Sequence, residues 1–167
     1  MFVPFHELHD RTRLWVYQAN RHFNSEEKKI ISETLRSFTE RWLVHGQPMR
    51  ASFDIRWDRF IILAADEEAN AASGCSIDDS VRAMKGLAAQ LNMDLFDRTL
   101  ITFKEGDNIF AIPSAELKAT AKSGVWNGHT LMFNNLVTTK LQLESEWIVP
   151  AGNTWLKRYL TQASVVS

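Results

Sequence analysis

Residues 59–80, RFIILAADEEANAASGCSIDDS, bring two chemically capable groups close together in the chain. The apolar run ending in Asp66-Glu67 has the form of the metal-holding strand of a nucleotide hydrolase. Cys75 follows a small-residue stretch, Ala71 to Gly74, and stands at the start of a predicted helix. Helix N-termini favour negative charge, which activates a thiol. A thiol-dependent enzyme would use Cys75 as nucleophile and a spatially recruited His22, His45 or His129 as base. Asp78 and Asp79 sit in the same first turn, and their charge opposes a thiolate. Unpaired cysteines are among the most buried residue types. A buried Cys75 closing a tight strand-to-helix connection is therefore expected ahead of a reactive one. Ser76 and Asp78 either cap the helix or bind a ligand at its free N–H groups.

Other constellations are less specific. His6-x-x-His9-Asp10 has a spacing a metal could use, but there is no second pair, and two histidines do not make a site. Asp66, Glu67 and Glu68 form an acidic cluster that reads as a solvated loop ahead of a divalent-cation site. Neither metal nor cofactor is expected. Arg13, Arg21, Arg56, Arg59 and Arg98 lie in or beside strand segments. Converging arginines would form an anion pocket. Pairing with Asp54, Asp58 and Asp97 accounts for most of them. Asn134-Asn135 end a strand, where their amides hydrogen-bond either a ligand or a neighbouring loop.

The ATPase form can be tested in the sequence. A nucleotide hydrolase of that type needs a GxxxxGK[ST] loop, whose N–H groups cradle phosphate and whose hydroxyl holds Mg²⁺. The seven glycines include no pair five positions apart, and none precedes Lys-Ser or Lys-Thr. ASGCS echoes a transporter signature faintly, but it follows the Asp-Glu strand instead of preceding it. The stretches LWVYQANR, RFIILAADE, SGCSID, DLFDR and FNNLV resemble a small uncharacterised bacterial family often labelled "ABC transporter ATPase". The resemblance runs from about Arg13 to Tyr159. It implies a shared fold and brings no established activity, and the missing phosphate loop does not support the label.

Bulk composition narrows the classes further. A chain of 167 residues with 45% hydrophobic content fits one domain with a sizeable core. A net charge of -1 argues against a dedicated nucleic-acid binder, which needs surplus Lys and Arg. Trp15 and Tyr17 on a first strand are reminiscent of RNA-binding sheets, but no RNP1-like run accompanies them. No apolar stretch approaches a membrane span, and no signal-peptide pattern opens the chain. A single cysteine makes no internal disulfide, so a cytoplasmic location is the expectation.

The elements that position these residues follow from periodicity. A docked or loose arm covers 1–12. Alternation predicts a strand over 13–19. Asn24 and Glu27 predict a capping box, followed by a helix with Ile31, Leu35, Phe38 and Trp42 on one face and Gly46 as its stop. Strands follow at 51–57 and 59–65, joined by a tight hairpin at Trp57-Asp58-Arg59. Ser76 and Asp79 predict the cap of a second helix, with Ile77, Val81, Met84, Ala88 and Leu91 inward. A strand over 98–104, a turn at 105–108 and a strand at 109–113 come next. Beyond lie a helix from Ser114 to Lys122, a strand over 130–135, a helical stretch near 138–146 and a last helix burying Trp155 and Tyr159. The order strand-helix-strand-strand-helix-strand predicts an α+β fold. It is read as a ferredoxin-like βαββαβ core over 13–104 with a C-terminal αβ extension over 105–167. The expected function is a soluble, non-enzymatic module binding a small ligand or a partner protein, its oligomeric state open. Its candidate surface comprises Ser73, Gly74, Cys75, Ser76, Asp78, Arg59, Arg98, Asn134 and Asn135.

Overall fold

A computed structural model describes residues 1–160. The fold is α+β, and the chain divides into two compact units. The first holds Met1–Phe96 and Val137–Leu143; among the described residues the second holds Asp97–Leu136 and 144–160. No helix among the described residues is long and apolar enough to cross a membrane.

The first unit is built round a three-stranded antiparallel sheet. Strand β1 (Arg13–Gln18) leads to helix α1 (Ser25–Arg41). Asn24 Oδ1 accepts from Glu27 N–H at 2.8 Å, and Glu27 Oε1 accepts from Asn24 N–H at 3.0 Å, as the spacing predicts. Arg21 then grips Glu27 at 2.8 and 2.7 Å and fixes the chain's entry into the helix. The helix buries Ile31, Leu35, Phe38 and Thr39. It ends at Arg41, and Trp42 is already extended. Gly46 is therefore not the helix stop. It sits at φ 76° with His45 at φ 50°, in the turn between the two-residue strands β2 (Leu43–Val44) and β3 (Gln47–Pro48).

Strands β4 (Arg50–Arg56) and β5 (Phe60–Asp66) form the predicted hairpin, with Arg56 opposite Phe60. Trp57 (φ 56°) and Asp58 (φ 49°) both take left-handed backbone, a costly choice for a tryptophan. The sheet order is β1-β5-β4. Phe60 through Ala65 are all fully buried, as a central strand covered on both faces should be. Ile61 packs among residues of α1 and of helix α2 (Gly74–Leu91). The buried face of α2 is Ser76, Ser80, Met84, Leu87 and Leu91, one residue round from the predicted stripe at its start.

A ferredoxin-like sheet would place residues 98–104 beside β1. That edge instead takes the returning segment: Leu14 N–H donates to Thr138 O at 2.9 Å, and Arg13 bridges Thr139. The arm over 1–12 is docked. Val3 and Leu8 are buried, Val3 N–H donates to Ala51 O at 2.8 Å, and Lys140 Nζ donates to Leu8 O at 2.6 Å.

The second unit has its own four-stranded antiparallel sheet, of order β7-β6-β8-β9. Strand β6 (Leu100–Glu105) turns at Gly106 into β7 (Asn108–Pro113), so its nearest chain neighbour supplies its first edge. Strand β8 (Leu131–Phe133) takes the other edge, and β9 (Ile148–Pro150), which the pattern does not announce, pairs with β8. Helix α3 (Leu117–Lys122) covers a core of Phe103, Ile112, Trp126 and Met132. Helix α4 (Lys140–Glu146) follows in the chain. A Cβ on Gly152 would lie 3.1 Å from Gly128 O, so two backbones meet where a side chain would intrude. The last predicted helix is a short 3-10 turn, Trp155–Tyr159. Its fully buried anchor is Leu156, with Trp155 and Tyr159 packed beside it.

Candidate functional site

The chemistry-bearing groups of the first unit gather at the C-terminal end of β5. Asp66 is the last residue of that strand and stands opposite Arg50 of β4. The docked arm brings His9 to it across 57 residues of sequence: His9 Nε2 lies 3.0 Å from Asp66 Oδ1 and 3.5 Å from Glu68 Oε1. Arg50 Nε lies 3.4 Å from Asp66 Oδ2, and Glu68 N–H donates to Asp66 Oδ1 at 3.0 Å. Arg11 binds Glu68 at 2.7 Å, and Arg13 lies 3.6 Å from Glu67. Ala72 N–H donates to Glu67 Oε2 at 2.6 Å, which folds the loop back toward α2. A cleft of about 300 Å³ opens here, lined by His9, Arg50, Asp66, Glu68 and Asn70 among others.

The Asp66 side chain is 9% exposed. Burial alone would raise its carboxyl. The Glu68 N–H, His9 and the nearby Arg50 charge outweigh that and hold it below the usual carboxylate range.

His9, Asp66 and Glu68 offer ligand atoms within 4.8 Å of one another, as a metal would require. The hydrogen bonds argue against ligation. Arg11 N–H donates to His9 Nδ1 at 3.1 Å, so that nitrogen carries a lone pair and the ring proton is on Nε2, facing Asp66. A histidine ligating through Nε2 needs its proton on Nδ1, held by an acceptor; here it meets a donor. Arg11 and Arg50 already neutralise the two carboxylates. The set is an ion-pair network that pins the arm to the sheet, and it does not fit a cation.

The predicted surface is distributed differently from its expectation. Ser73, not Ser76, caps α2: Ser73 Oγ accepts from Ser76 N–H at 3.1 Å, and Ser76 Oγ accepts from Ser73 N–H at 2.8 Å. Ser76 is buried, and its carbonyl accepts from Trp42 Nε1 at 2.9 Å. Both serines thus serve the helix start. Gly74 opens the helix with open space around it. Cys75 is exposed, which overturns the buried expectation. It lies in the first turn of α2, and its thiol makes no hydrogen bond among the described residues. Asp78 is exposed.

Arg59 immediately precedes β5 at its opposite end, and seven steps of roughly 3.3 Å put about 23 Å between it and Asp66. The structure therefore does not bring Arg59 to the Ser73–Asp78 turn. In the second unit, Arg98 is exposed and makes no ion pair among the described residues. Asn134 Oδ1 accepts from Leu136 N–H at 3.3 Å, and Asn135 Oδ1 accepts from Trp147 Nε1 at 3.0 Å, so both amides serve the local turn. Asp97 holds Thr99, Asp58 pairs with Lys28, and of the predicted arginine partners only Asp54 takes its arginine, Arg56. Trp15 packs against Trp42 and Tyr17 against Phe96, and both rings are half-buried. His9 is the site residue the sequence reading passed over. Its only signal was the His6-x-x-His9-Asp10 spacing, set aside for want of a second pair; its partner Asp66 lies 57 residues away.

Compared with family models, with curated proteins and with solved structures, the chain has no match.

Proposed function

We propose that the protein is a non-catalytic binding module that takes a small polar ligand in the cleft beside His9, Arg50, Asp66 and Asn70. The observation that supports this is the closed pairing of the cleft's ionisable groups. Both ring nitrogens of His9 are engaged, and Asp66 has three partners, so neither stands ready as an acid or base. The lining mixes polar side chains with Pro48, Met49 and Ala69, and the volume is that of a small-metabolite site.

The test is a backbone-resonance titration of the full chain with small charged metabolites: amino acids, dicarboxylates and phosphate esters. Binding should move the resonances of His9, Arg50, Asp66 and Asn70, weaken at least tenfold in Arg50→Ala and Asn70→Ala, and leave the compound intact. Turnover of a bound compound, or shifts confined to other parts of the chain, would sink the reading.

The exposure of Cys75 favours the thiol-dependent enzyme as a second reading. It requires alkylation in the native protein faster than that of an unstructured cysteine peptide and dependent on pH. Reaction at the peptide rate removes it. The ATPase label is disfavoured further, because Asp66 and Glu67 are already committed to His9, Arg50, Arg13 and the Ala72 amide. ATP with Mg²⁺ should leave the melting temperature unchanged.

A further inference from the structure

The cleft at the end of β5 keeps three hydrogen-bonding groups that the ion-pair network does not use. Arg50 meets Asp66 Oδ2 through Nε, at 3.4 Å, and its Nη1 and Nη2 make no hydrogen bond among the described residues. Its side chain is 47% exposed and lines the cleft. Glu68 Oε1 takes Arg11 at 2.7 Å and lies 3.5 Å from His9, while its Oε2 makes no hydrogen bond among the described residues. The Asn70 amide, half-buried in the same lining, makes none either. Asp66 links the two charged groups: its carboxylate and that of Glu68 offer oxygens within 4.8 Å of each other, and Arg50 Nε lies against Asp66 Oδ2. An unused donor fork and an unused carboxylate oxygen thus line one cavity of about 300 Å³.

Charge decides what can use them. Arg50 and Arg11 match Asp66 and Glu68 one for one, so the site is balanced before anything binds. A phosphate or a dicarboxylate would gain Arg50 but bring two negative charges up to two carboxylates. An amine alone would gain Glu68 and meet two arginines. A molecule with one charge of each sign and none net serves both groups and keeps the balance. The terminal nitrogens of a guanidinium grip a carboxylate as two parallel hydrogen bonds, and a carboxylate oxygen accepts from an ammonium. Pro48 and Ala69 add apolar surface for a short side chain.

Taking the cleft as the binding site, on which this step rests, we infer that its ligand is a free α-amino acid with a small apolar side chain. Its carboxylate lies on Arg50 Nη1 and Nη2, its ammonium on Glu68 Oε2, and the Asn70 amide bonds either end.

The experiment titrates the full chain with L-valine, N-acetyl-L-valine, L-valinamide, succinate and inorganic phosphate at constant ionic strength and pH 7, following the backbone resonances of Arg50, Glu68 and Asn70. Valine should give saturable shifts. N-acetylvaline, which lacks the ammonium, and valinamide, which lacks the carboxylate, should each bind at least tenfold more weakly. Glu68→Gln should narrow the gap between valine and N-acetylvaline at least threefold, and Arg50→Lys should narrow that between valine and valinamide. N-acetylvaline, succinate or phosphate binding as tightly as valine at these resonances overturns the inference and leaves the cleft reading standing. So does a gap unchanged in Glu68→Gln. Silence with all five compounds overturns the inference, and the cleft reading falls with it only if the wider set of charged metabolites is silent too. Should a variant fail to fold, the ranking of the five compounds on the unsubstituted chain decides.

Discussion

The two ends of β5 handle charge in opposite ways. At the Asp66 end, carboxylates, arginines and an imidazole from three chain segments close on one another. At the Arg59 end, a guanidinium on a buried stem has no counter-charge among the described residues. The same buried strand connects them, so the difference comes from what arrives at each end. The docked arm delivers His9 and Arg11 to Asp66 and Glu68. The tight turn at Trp57-Asp58 turns Asp58 toward Lys28 and leaves Arg59 alone. A paired network is what a fold uses to hold a segment; an unpaired charge on a buried stem is tolerated where its tip reaches water.

The largest expected effect breaks the paired end. Asp66→Ala should cost about 2–3 kcal/mol by urea unfolding, because it removes charge-assisted bonds to a largely buried carboxylate and leaves His9 and Arg50 without it. The same end should carry a pH signature. The Asp66 carboxyl is held below its usual value of about 3.9, so its contribution is complete above that value. That contribution is lost as pH falls through the lower folded-state value. Urea midpoints measured from pH 6 downward should fall less steeply in Asp66→Asn. At the unpaired end the sign reverses: Arg59→Met should raise stability by about 1 kcal/mol, since a partly desolvated charge goes and the stem's packing stays. Loss of stability there would mean that the arginine has a structural partner, and the contrast would collapse. Ser73→Ala should cost about 1 kcal/mol by removing the cap of α2. The smallest effect is Arg11→Ala, expected below about 0.5 kcal/mol because the pair with Glu68 is exposed. A larger loss would place the network's weight on its rim instead of on Asp66.

Local chemistry was legible in the sequence wherever a signal and its consequence were neighbours. Asn24 with Glu27 gave the first helix start, and the Trp57-Asp58 turn was readable without an Asn-Gly pair. SGCS holds two serines three apart, Ser73 and Ser76. Asp79 favoured the later one, but Ser76 itself answers Ser73, which moves the helix start forward and turns its buried face by one residue. Gly46 looked like a helix stop because β2 and β3, two residues each, are too short for periodicity to register. Pairing partners were not legible. Alternation marks residues 98–104 as a strand, but it cannot say that a hairpin to β7 and an edge from β8 will occupy that strand. Nor can it say that Thr138 and Thr139 will take the edge of β1. His9 and Asp66 are joined only by the fold. The burial of Arg59 ran against its residue type, which is why the sequence offered it an ordinary partner instead.

The capping pair Ser73–Ser76 sets Cys75 in the first turn of an 18-residue helix, facing solvent, and the chain contains no other cysteine. The molecule therefore carries a native attachment point for a fluorophore or spin label, with no residue to be engineered in or out. A reporter there would sit at the Asp66 end of β5, on the connection that Glu67 ties to the Ala72 amide. Its mobility would register loosening of the arm and loop.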